Sequence, residues 1–264
     1  MTLTFLGTGT STGVPTLACH CAVCESADPR DKRTRPSVLV EFDGRAVVID
    51  TSPDFRGQAL REKLERLDAV LFTHDHVDHV MGLDDVRVYC FRQDQAIPIY
   101  ADAGVMASLR RIFAYVFDQT YPYGGIPKLD PHVIEGPFDL WGEPVTPIRV
   151  MHGHLPVLGF RLRDFAYLTD FSTIPEESVA ALGSLDLLVL DALRHKPHPS
   201  HSTVEQSLAW VERLKPRRAF FTHIAHELGH EATNATLPPN VRLAYDGLKL
   251  ELGGRAAPTF ESKP

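Results

Sequence analysis

The chain has 264 residues, of which 44% are hydrophobic and 23% are charged, and this composition is ordinary for a globular protein with a substantial core. Its 27 Lys and Arg against 34 Asp and Glu give a net charge of −7, and the sequence has no basic stripe of the kind that binds nucleic acid. The chain starts without a basic and apolar leader, and no apolar run approaches the ~20 residues of a membrane span, so we expect a cytoplasmic protein with no membrane or nucleic-acid partner.

Short β-type runs recur along the chain and alternate with helical patterns. The predicted strands are Leu3–Leu6, Ser37–Phe42, Ala46–Asp50, Ala69–Thr73, Ile97–Ala101, Val145–Met151, Gly159–Leu162, Ala166–Asp170, Leu185–Asp191, Ala219–Thr222 and Leu243–Leu252. The predicted helices are Phe55–Leu67, Val77–Val86, Val105–Val116, Glu176–Leu182 and Thr203–Leu214. Ser202 and Glu205 form a capping box ahead of the last helix. Mixed strands and helices without a linker predict one α/β domain built in layers.

The segment 112–137 differs from its surroundings because it is rich in aromatic residues, Gly and Pro. This composition is typical of a partly ordered loop. Two interpretations stay open, namely core packing followed by a turn, and a lid or subunit contact that shapes a substrate pocket. A homodimer is therefore left open as well.

The stretch LFTHDHVDHVMGLDD follows an apolar strand and concentrates ligand-type side chains. Imidazole and carboxylate groups bind Zn²⁺, Mn²⁺ or Fe²⁺. His74 and His76 are two residues apart, so an extended backbone points both to the same side. Asp78 and His79 fall in the first turn of the predicted helix and can face a second ion. Four ligands within six residues cannot all reach one ion comfortably, so the motif predicts two metal ions.

Further ligand-type residues close apolar strands elsewhere in the chain. They are His152, Asp170 and His223, and the carboxyl ends of strands form the usual active-site edge of an α/β protein. Asp170 could bridge two ions with its two oxygens. Asp50 also ends a strand, and we expect it to orient a ligating histidine by a hydrogen bond. His154 could compete with His152 for the ligand role.

The motif THDHVDH, with His152, Asp170 and His223, resembles the metallo-β-lactamase superfamily. Within it, CHCAVC, MHGHLPVLGFRL, DALRHKPHPSH and THIAH are most similar to the PhnP-type phosphodiesterases. The resemblance covers nearly the whole chain and implies a single domain, 1–264, folded as an αββα four-layer sandwich with two metals at one edge of the sheets. It implies one ion held by His74, His76 and His152, and another held by Asp78, His79 and His223, with Asp170 bridging them. His152 is favoured over His154 because its position relative to Gly159 is more similar to the family.

A Cys-x-Cys-x-x-Cys cluster provides three soft ligands, as a tetrahedral structural zinc requires: Cys19, Cys21 and Cys24. The resemblance supplies the fourth ligand from His226. The zinc would staple the N-terminal loop, about 15–35, beside the catalytic edge. His20 is the weaker candidate, because both of its neighbours are already ligands.

The glycine-rich stretch near the start of the chain and several single histidines and cysteines allow further predictions. FLGTGTSTGVP has a Gly-x-Gly after a strand, but its third glycine is misplaced for dinucleotide binding, so we interpret it as a tight turn near the metal edge. His201 precedes a predicted helix N-terminus, where it could contact a substrate phosphate or protonate the leaving oxygen, and His198 is the alternative candidate for this role.

Cys90 is expected to be an ordinary buried cysteine, and the remaining histidines are expected at the surface: His132, His195 and His230.

The predicted function follows from the charge of the pocket. Two divalent ions, Mn²⁺ or Zn²⁺, outweigh the charge of Asp78 and Asp170 and make the pocket cationic, which suits an anionic diester. We expect hydrolysis of a small phosphodiester with Asp78 and His201 as catalytic residues, and the resemblance suggests 5-phosphoribosyl 1,2-cyclic phosphate or a 2′,3′-cyclic nucleotide. Three alternatives remain: a tRNA 3′-processing nuclease, for which a long basic arm is missing; a thioester or lactam hydrolase, although lactamases usually have cysteine at the Asp170 position; and a non-catalytic accessory protein of quinone-cofactor biosynthesis.

Overall fold

Two β-sheets face each other, and helices cover their outer sides. The computed structural model describes residues 1–118, 120 and 124–253. Within these residues each sheet has seven strands. The arrangement is an αββα four-layer sandwich, which confirms the predicted fold class.

The first sheet has the spatial order β14-β1-β2-β3-β4-β5-β6. The pairs from β14 to β3 are antiparallel, and those from β3 to β6 are parallel. The β2–β3 hairpin closes on Asp43 and Gly44, whose φ angles of 48° and 73° suit the tight turn favoured by strand twist. The strands are β1 (Thr2–Gly7), β2 (Ser37–Phe42), β3 (Arg45–Ile49), β4 (Ala69–Leu71), β5 (Ile97–Ala101), β6 (Leu129–Val133) and β14 (Lys249–Glu251).

The second sheet mirrors this organisation, with the order β13-β12-β11-β10-β9-β8-β7. Its strands are β7 (Phe138–Leu140), β8 (Glu143–His152), β9 (Leu155–Leu162), β10 (Phe165–Leu168), β11 (Leu187–Asp191), β12 (Arg218–Thr222) and β13 (Val241–Leu243). The pairs from β7 to β10 are antiparallel and those from β10 to β13 are parallel. Each sheet therefore has a parallel half, whose carboxyl ends share one edge.

The helices lie on the outer faces. They are α1 (Phe55–Arg61), α2 (Val77–Val80), α3 (Arg87–Gln93), α4 (Ala103–Ile112), α5 (Ala114–Phe117), α6 (Glu176–Val179), α7 (Val204–Leu214) and α8 (His230–Asn234), with 3-10 turns at Pro29–Asp31, Leu83–Val86 and Ala180–Leu182. Among the described residues, no helix is both long enough and apolar enough to cross a lipid bilayer.

The apolar core is divided into three layers. The central layer joins the inner faces of the two sheets, for example Phe5 and Val47 with Phe160 and Val189. A second layer packs the first sheet against α1, α3 and α4, and a third packs the second sheet against α7. The outer helices are needed because the parallel strands are apolar on both faces.

Most of the predicted strands form with small shifts at their ends, but the prediction of one strand over Leu243–Leu252 is wrong. The segment splits into β13 and β14, which belong to different sheets. Between them Asp246 is buried as a hydrogen-bond acceptor for the backbone amides of Thr8 and Thr34, and Gly247 has a φ of 87°. This turn reverses the chain and carries it to the other layer.

Several predicted helices are too long. The helix expected over Phe55–Leu67 ends at Arg61, and Lys63 adopts a left-handed φ of 53°. The helix expected over Val77–Val86 is broken at Gly82, where a Cβ would lie 2.2 Å from the backbone oxygen of Ser52. Close approach of the two backbones therefore requires glycine there.

Other helix boundaries also differ from the prediction. Val105–Val116 is divided at Phe113 into α4 and α5, and the end of Glu176–Leu182 is a 3-10 turn. The capping box of α7 is formed by Thr203 and Gln206, not by Ser202 and Glu205, because the helix begins one residue later. The helices α3 and α8 and the strands β6 and β7 were not predicted.

The segment 112–137 contains more regular structure than expected of a loop. It includes α5 and the strand β6, which adds to the edge of the first sheet through β5. Residues 119 and 121–123 of this segment lie outside the described residues. A role as a lid or subunit contact stays a prediction, as do the domain limits.

Candidate metal centre

The parallel halves of both sheets end at one edge, and their carboxyl ends carry the polar residues of the centre. Asp50 follows β3 and the HDHVDH motif follows β4, while Asp170 follows β10 and His223 follows β12. Three of these residues adopt left-handed backbone angles, with φ of 64° at Asp50, 52° at Asp170 and 56° at His223. Such angles are uncommon for residues other than glycine and concentrate at functional sites.

Four buried side chains form the tightest cluster: Asp78, His79, Asp170 and His223. Their ligand atoms all lie within 4.8 Å of one another. Nε2 of His79 lies 3.2 Å from Oδ2 of Asp170, and Nε2 of His223 lies 3.1 Å from Oδ1 of the same carboxylate. The two oxygens of Asp170 thus face two histidines that the resemblance assigns to the same ion.

The other three histidines of the expected ligand set lie beside this cluster. Ring centroids are 4.5 Å apart for His74 and His76, 5.1 Å for His76 and His152, and 5.7 Å for His74 and His152. His152 also groups with Asp170 and His201, with ligand atoms within 4.8 Å. His154 is exposed whereas His152 is buried, so the structure brings His152 and not His154 to the centre.

Several imidazole nitrogens at the centre are buried without a hydrogen bond. They include Nε2 of His74, His79 and His223. The other ring nitrogen of His79 lies 2.7 Å from Asp50, and that of His74 lies 2.9 Å from the Thr73 hydroxyl. Histidine ligands are typically anchored through one nitrogen while the other binds the metal, and buried polar atoms otherwise find partners. The donor set therefore fits divalent cations of the zinc and manganese type.

The pKa values of the cluster also indicate that it favours positive charge. Burial alone would raise the pKa of Asp78 and of Asp170, but the neighbouring His79 and His223 hold both values well below the usual range. Burial would lower the pKa of His223, yet Asp170 and Asp78 raise it to about 9. The pKa of His79 is raised by the same carboxylates and Asp50 despite burial. Divalent cations would displace these protons on binding.

His201 lies at the rim of the cluster and is held by a buried carboxylate. Its Nδ1 lies 2.9 Å from Oδ2 of Asp191, and its ring stacks on His223 at 4.7 Å with an interplanar angle of 14°. Burial raises the pKa of Asp191, and the hydrogen bond from His201 opposes that rise. The ring of His198 lies 4.9 Å from that of His201.

Asp191 was not predicted as a site residue. The signal was present, because Asp191 closes an apolar strand in the same way as Asp50 and Asp170 do. The sequence does not show that Asp191 pairs with His201, because His201 lies ten residues further along the chain in a loop.

The three cysteines and His226 form a separate cluster. Nδ1 of His226 lies 3.2 Å from Sγ of Cys19, 3.4 Å from that of Cys21 and 3.5 Å from that of Cys24. The backbone amide of Cys24 is the main cause that lowers the pKa of the Cys21 thiol to about 6, which favours the thiolate that metals bind. The side chain of His20 is exposed and faces Glu25 at 3.0 Å.

The glycine-rich turn after β1 lies against the strand end that carries His223. Gly9 pairs with Ile224, and the backbones of Thr8 and Thr10 hydrogen-bond to the same residue. The expected position of this turn, near the metal edge, agrees with these contacts.

The residues expected to lie outside the centre differ in their exposure to solvent. His195 is exposed and His132 is partly exposed, while Cys90 is buried. The prediction that His230 is a surface residue is wrong, because its side chain is only 4% exposed. Its Nδ1 lies 3.2 Å from the guanidinium of buried Arg33, which needs an acceptor there.

The chain is similar to several known proteins. The family described as Beta-lactamase superfamily domain matches residues 45–224. A solved structure of a diphosphatase from the PhnP family is 48% identical, with a TM-score of 0.89 over 94% of this chain and 96% of that one. Coenzyme PQQ synthesis protein B of Methylorubrum populi is 30% identical over 72% of either chain.

An octanoyltransferase of Porphyromonas gingivalis is 44% identical over 92% of this chain, which spans 50% of that relative's length. The superfamily and the His and Asp cluster support a metal-dependent hydrolase. The matches to the family and to the solved diphosphatase agree with the motifs and with the four-layer fold. The chain therefore belongs to the metallo-β-lactamase superfamily, in its PhnP-type group.

Proposed function

We propose that this chain is a metal-dependent phosphodiesterase that hydrolyses small phosphodiesters. The observation that carries the proposal is the set of buried imidazole nitrogens without hydrogen bonds, on His74, His79 and His223, around the carboxylate of Asp170. A cation pair in this position suits an anionic substrate. The similarity to a PhnP-family diphosphatase, at 48% identity, supports phosphorus rather than acyl chemistry.

The proposed ligands fall into two sets around Asp170. One set consists of His74, His76 and His152, and the other of Asp78, His79 and His223. Bound Mn²⁺ or Zn²⁺ would supply Lewis acidity and would lower the pKa of water towards ~7. Asp50 fixes the ring of His79 through Nδ1 and so leaves Nε2 free for a ligand.

His201 is the proposed proton donor to the leaving oxygen. Its Nδ1–H donates to Asp191 at 2.9 Å, which holds the ring and leaves Nε2 as the atom that carries the transferable proton. A buried carboxylate behind an imidazole also stabilises the ring when it is protonated. The neighbouring His198 can contribute to substrate binding.

The cysteine cluster is proposed to hold a structural zinc. Three thiols and one imidazole form the closed, tetrahedral donor set of such sites. His226 lies three residues after His223, so this zinc would fix the N-terminal loop next to the centre.

The proposed substrates are cyclic or otherwise unhindered small molecules, such as 5-phosphoribosyl 1,2-cyclic phosphate or a 2′,3′-cyclic nucleotide. A net charge of −7 argues against a nucleic-acid partner. A diphosphate bond is a second candidate substrate, because the 48% identical relative is named a diphosphatase. Octanoyl transfer is not favoured, since the centre is built from histidines and aspartates, without a cysteine or lysine to carry an acyl group.

The test is cleavage of bis(p-nitrophenyl) phosphate by protein loaded with Mn²⁺. We expect turnover that is abolished in Asp78→Ala and retained in the control Asp75→Ala, which alters the same motif outside the tight cluster. A panel of cyclic diesters, linear diesters and diphosphates then ranks the substrates by kcat/KM. Full activity of Asp78→Ala would refute the proposal.

A further inference from the structure

His201 lies in a loop that is closed at its base by the backbone. The amide of Leu193 donates to the backbone oxygen of Ser202 at 3.0 Å. We call residues 194–202 the acid loop, because they carry the proposed proton donor. The middle of this loop is mostly exposed to solvent, so packing contributes little to its position and its polar contacts contribute more.

Arg194 fixes the acid loop at its first residue. Its backbone oxygen accepts a hydrogen bond from the amide of Val204, the first residue of α7, at 3.1 Å. Its Nε donates to the backbone oxygen of Lys196 at 3.2 Å. One terminal nitrogen of the same guanidinium donates to Oε1 of Glu227 at 2.9 Å. Arg194 therefore joins the loop to a carboxylate that lies outside it.

Glu227 lies between Arg194 and the cluster of three cysteines. Its Oε2 is 3.7 Å from Nε2 of His226, and Nδ1 of the same ring faces the three thiols at 3.2 to 3.5 Å. Histidine ligands typically present their second ring nitrogen to a carboxylate or a backbone oxygen. Glu227 thus directs one oxygen towards the cysteine cluster and the other towards the acid loop.

The two segments are also joined by the backbone, since the amide of Ala225 donates to the backbone oxygen of Leu193 at 3.0 Å. An isolated ion pair at the surface contributes little to stability, but the side chain of Arg194 is only 26% exposed and that of Glu227 is 41% exposed. The pair acts between segments that the backbone already holds together. Its effect is therefore on the orientation of the acid loop rather than on the fold.

We propose that Glu227 is a positioning residue that couples the cysteine cluster to the acid loop. With a cation at Nδ1, the ring of His226 carries its proton on Nε2, the atom that faces Glu227. One oxygen of the carboxylate is then held by the ring while the other holds Arg194, so the position of His201 depends on whether the cluster is occupied. This inference rests on the proposed structural zinc and, for its effect on catalysis, on the proposed role of His201.

Hydrogen exchange followed by mass spectrometry tests the coupling without any turnover. Exchange of the amides in 194–202 is measured for the zinc-loaded protein, for Cys24→Ser, for Glu227→Gln and for the double variant. We expect each single change to raise the exchange rate of the loop about threefold to tenfold. The double variant should exchange no faster than the faster single variant, because both changes interrupt the same series of contacts.

Glu205→Gln is the matched control, since Glu205 also pairs with the acid loop but lies outside the cluster. Its Oε1 is 2.6 Å from Nδ1 of His195, and it is not one of the four cluster residues. In this background Cys24→Ser should raise the exchange rate as much as it does in the unchanged protein. In the Glu227→Gln background it should raise the rate no further.

A titration with Co²⁺ provides a second measurement, which does not depend on the folding of Cys24→Ser. Thiolate ligands give Co²⁺ a charge-transfer band in the near ultraviolet, and the ligands proposed at the catalytic edge include no sulfur, so this band reports the cysteine cluster alone. Coupling between sites is reciprocal. We expect Glu227→Gln to raise the Kd of Co²⁺ at this band by about tenfold and Glu205→Gln to leave it unchanged.

The activity of Glu227→Gln shows whether the coupling extends to His201. In the metal-loaded enzyme, kcat for a diester with an alkoxide leaving group should fall about threefold to tenfold, with KM unchanged. A p-nitrophenolate diester should react as with the unchanged protein. An unaltered kcat for the alkoxide diester would overturn the inference that the coupling extends to His201.

The results separate this inference from the proposed function. Unchanged loop exchange and unchanged Co²⁺ affinity in Glu227→Gln, with diester hydrolysis intact, would overturn the coupling and leave the proposed function standing. Additive effects of Cys24→Ser and Glu227→Gln on the exchange rate would also overturn the coupling. Coupled exchange in a protein that hydrolyses no diester would support the coupling and overturn the proposed function.

Discussion

Oδ2 of Asp50 lies 2.7 Å from Nδ1 of His79, and both side chains are fully buried. The same carboxylate accepts hydrogen bonds from the backbone amide and the hydroxyl of Thr73, each at 2.8 Å. Asp50 thus ties the end of β3 to the start of the HDHVDH motif. The contact sets the orientation of the His79 ring before any ligand reaches its Nε2.

The change Asp50→Asn should weaken metal binding without unfolding the protein. The amide keeps the shape of the side chain but loses the charge that supports His79, and such outer partners are worth about 10–100-fold in metal affinity or activity. Calorimetric titration of the metal-free protein with Zn²⁺ measures the effect. Asp43→Asn is the matched control, since Asp43 is exposed and also has a left-handed φ, of 48°. Equal affinities in the two variants would contradict the role of Asp50.

The change His201→Gln should slow the departure of poor leaving groups. Because His201 is the proposed proton donor, kcat for a diester with an alkoxide leaving group should fall by about 10²-fold. The loss should be much smaller for p-nitrophenolate, which leaves without a proton. Bound metal, measured by elemental analysis, should be retained. His195→Gln is the control, because His195 is exposed and pairs with Glu205 at the surface; a uniform loss for all leaving groups would count against proton donation.

The change Cys24→Ser should remove one metal ion per chain and lower thermal stability. Structural zinc contributes directly to folding free energy, and a loss of a few kcal/mol corresponds to a decrease in Tm of about 5–10 °C for a chain of this size. Elemental analysis and a thermal melt measure both effects. Cys90→Ser is the matched control, since Cys90 is the other buried cysteine and its thiol donates to the backbone oxygen of Lys128. Equal metal content in both variants would argue against a zinc at the cluster.

The change His230→Gln should make the protein less sensitive to acid. Burial and the charge of Arg33 lower the pKa of His230 to about 4 in the folded chain, whereas an unfolded histidine titrates near ~6.5. The unfolded state therefore binds the proton more readily, and stability falls as the pH decreases from about 6.5 to about 4. The loss amounts to at most about 3 kcal/mol.

Glutamine keeps an acceptor for Arg33 but does not titrate in this range. Urea unfolding at a series of pH values should show a shallower loss of stability for His230→Gln than for the unchanged protein. His132→Gln, at a partly exposed histidine, should follow the unchanged protein. Parallel curves for all three proteins would contradict the assignment.

The fold and most of the centre could be predicted because the chemistry is concentrated at strand ends. Apolar runs identify β3, β4, β10 and β12, and their shared edge brings the residues that follow them together. Short-range spacing alone indicated His74, His76, Asp78 and His79. These inferences need only the alternation of strands and the ligand type of the next residue.

What could not be predicted depends on contacts between distant segments. The break in the helix after α2 arises because Gly82 meets the backbone of Ser52, and the burial of His230 arises because Arg33 is buried beside it. The split of the last predicted strand depends on Asp246, which binds Thr8 and Thr34 from the far end of the chain. Local periodicity contains no information on such partners.

Each sheet supplies one side of the centre, since Asp50 and His79 follow strands of the first and Asp170 and His223 follow strands of the second. The apolar layer between the sheets, including Phe160 and Val189, consequently acts as the spacer that sets the separation of the two donor groups. A change in the thickness or packing of this layer would displace the two donor groups relative to each other before it unfolded the protein. The interior of the protein, remote from any reacting atom, is in this sense a determinant of its chemistry.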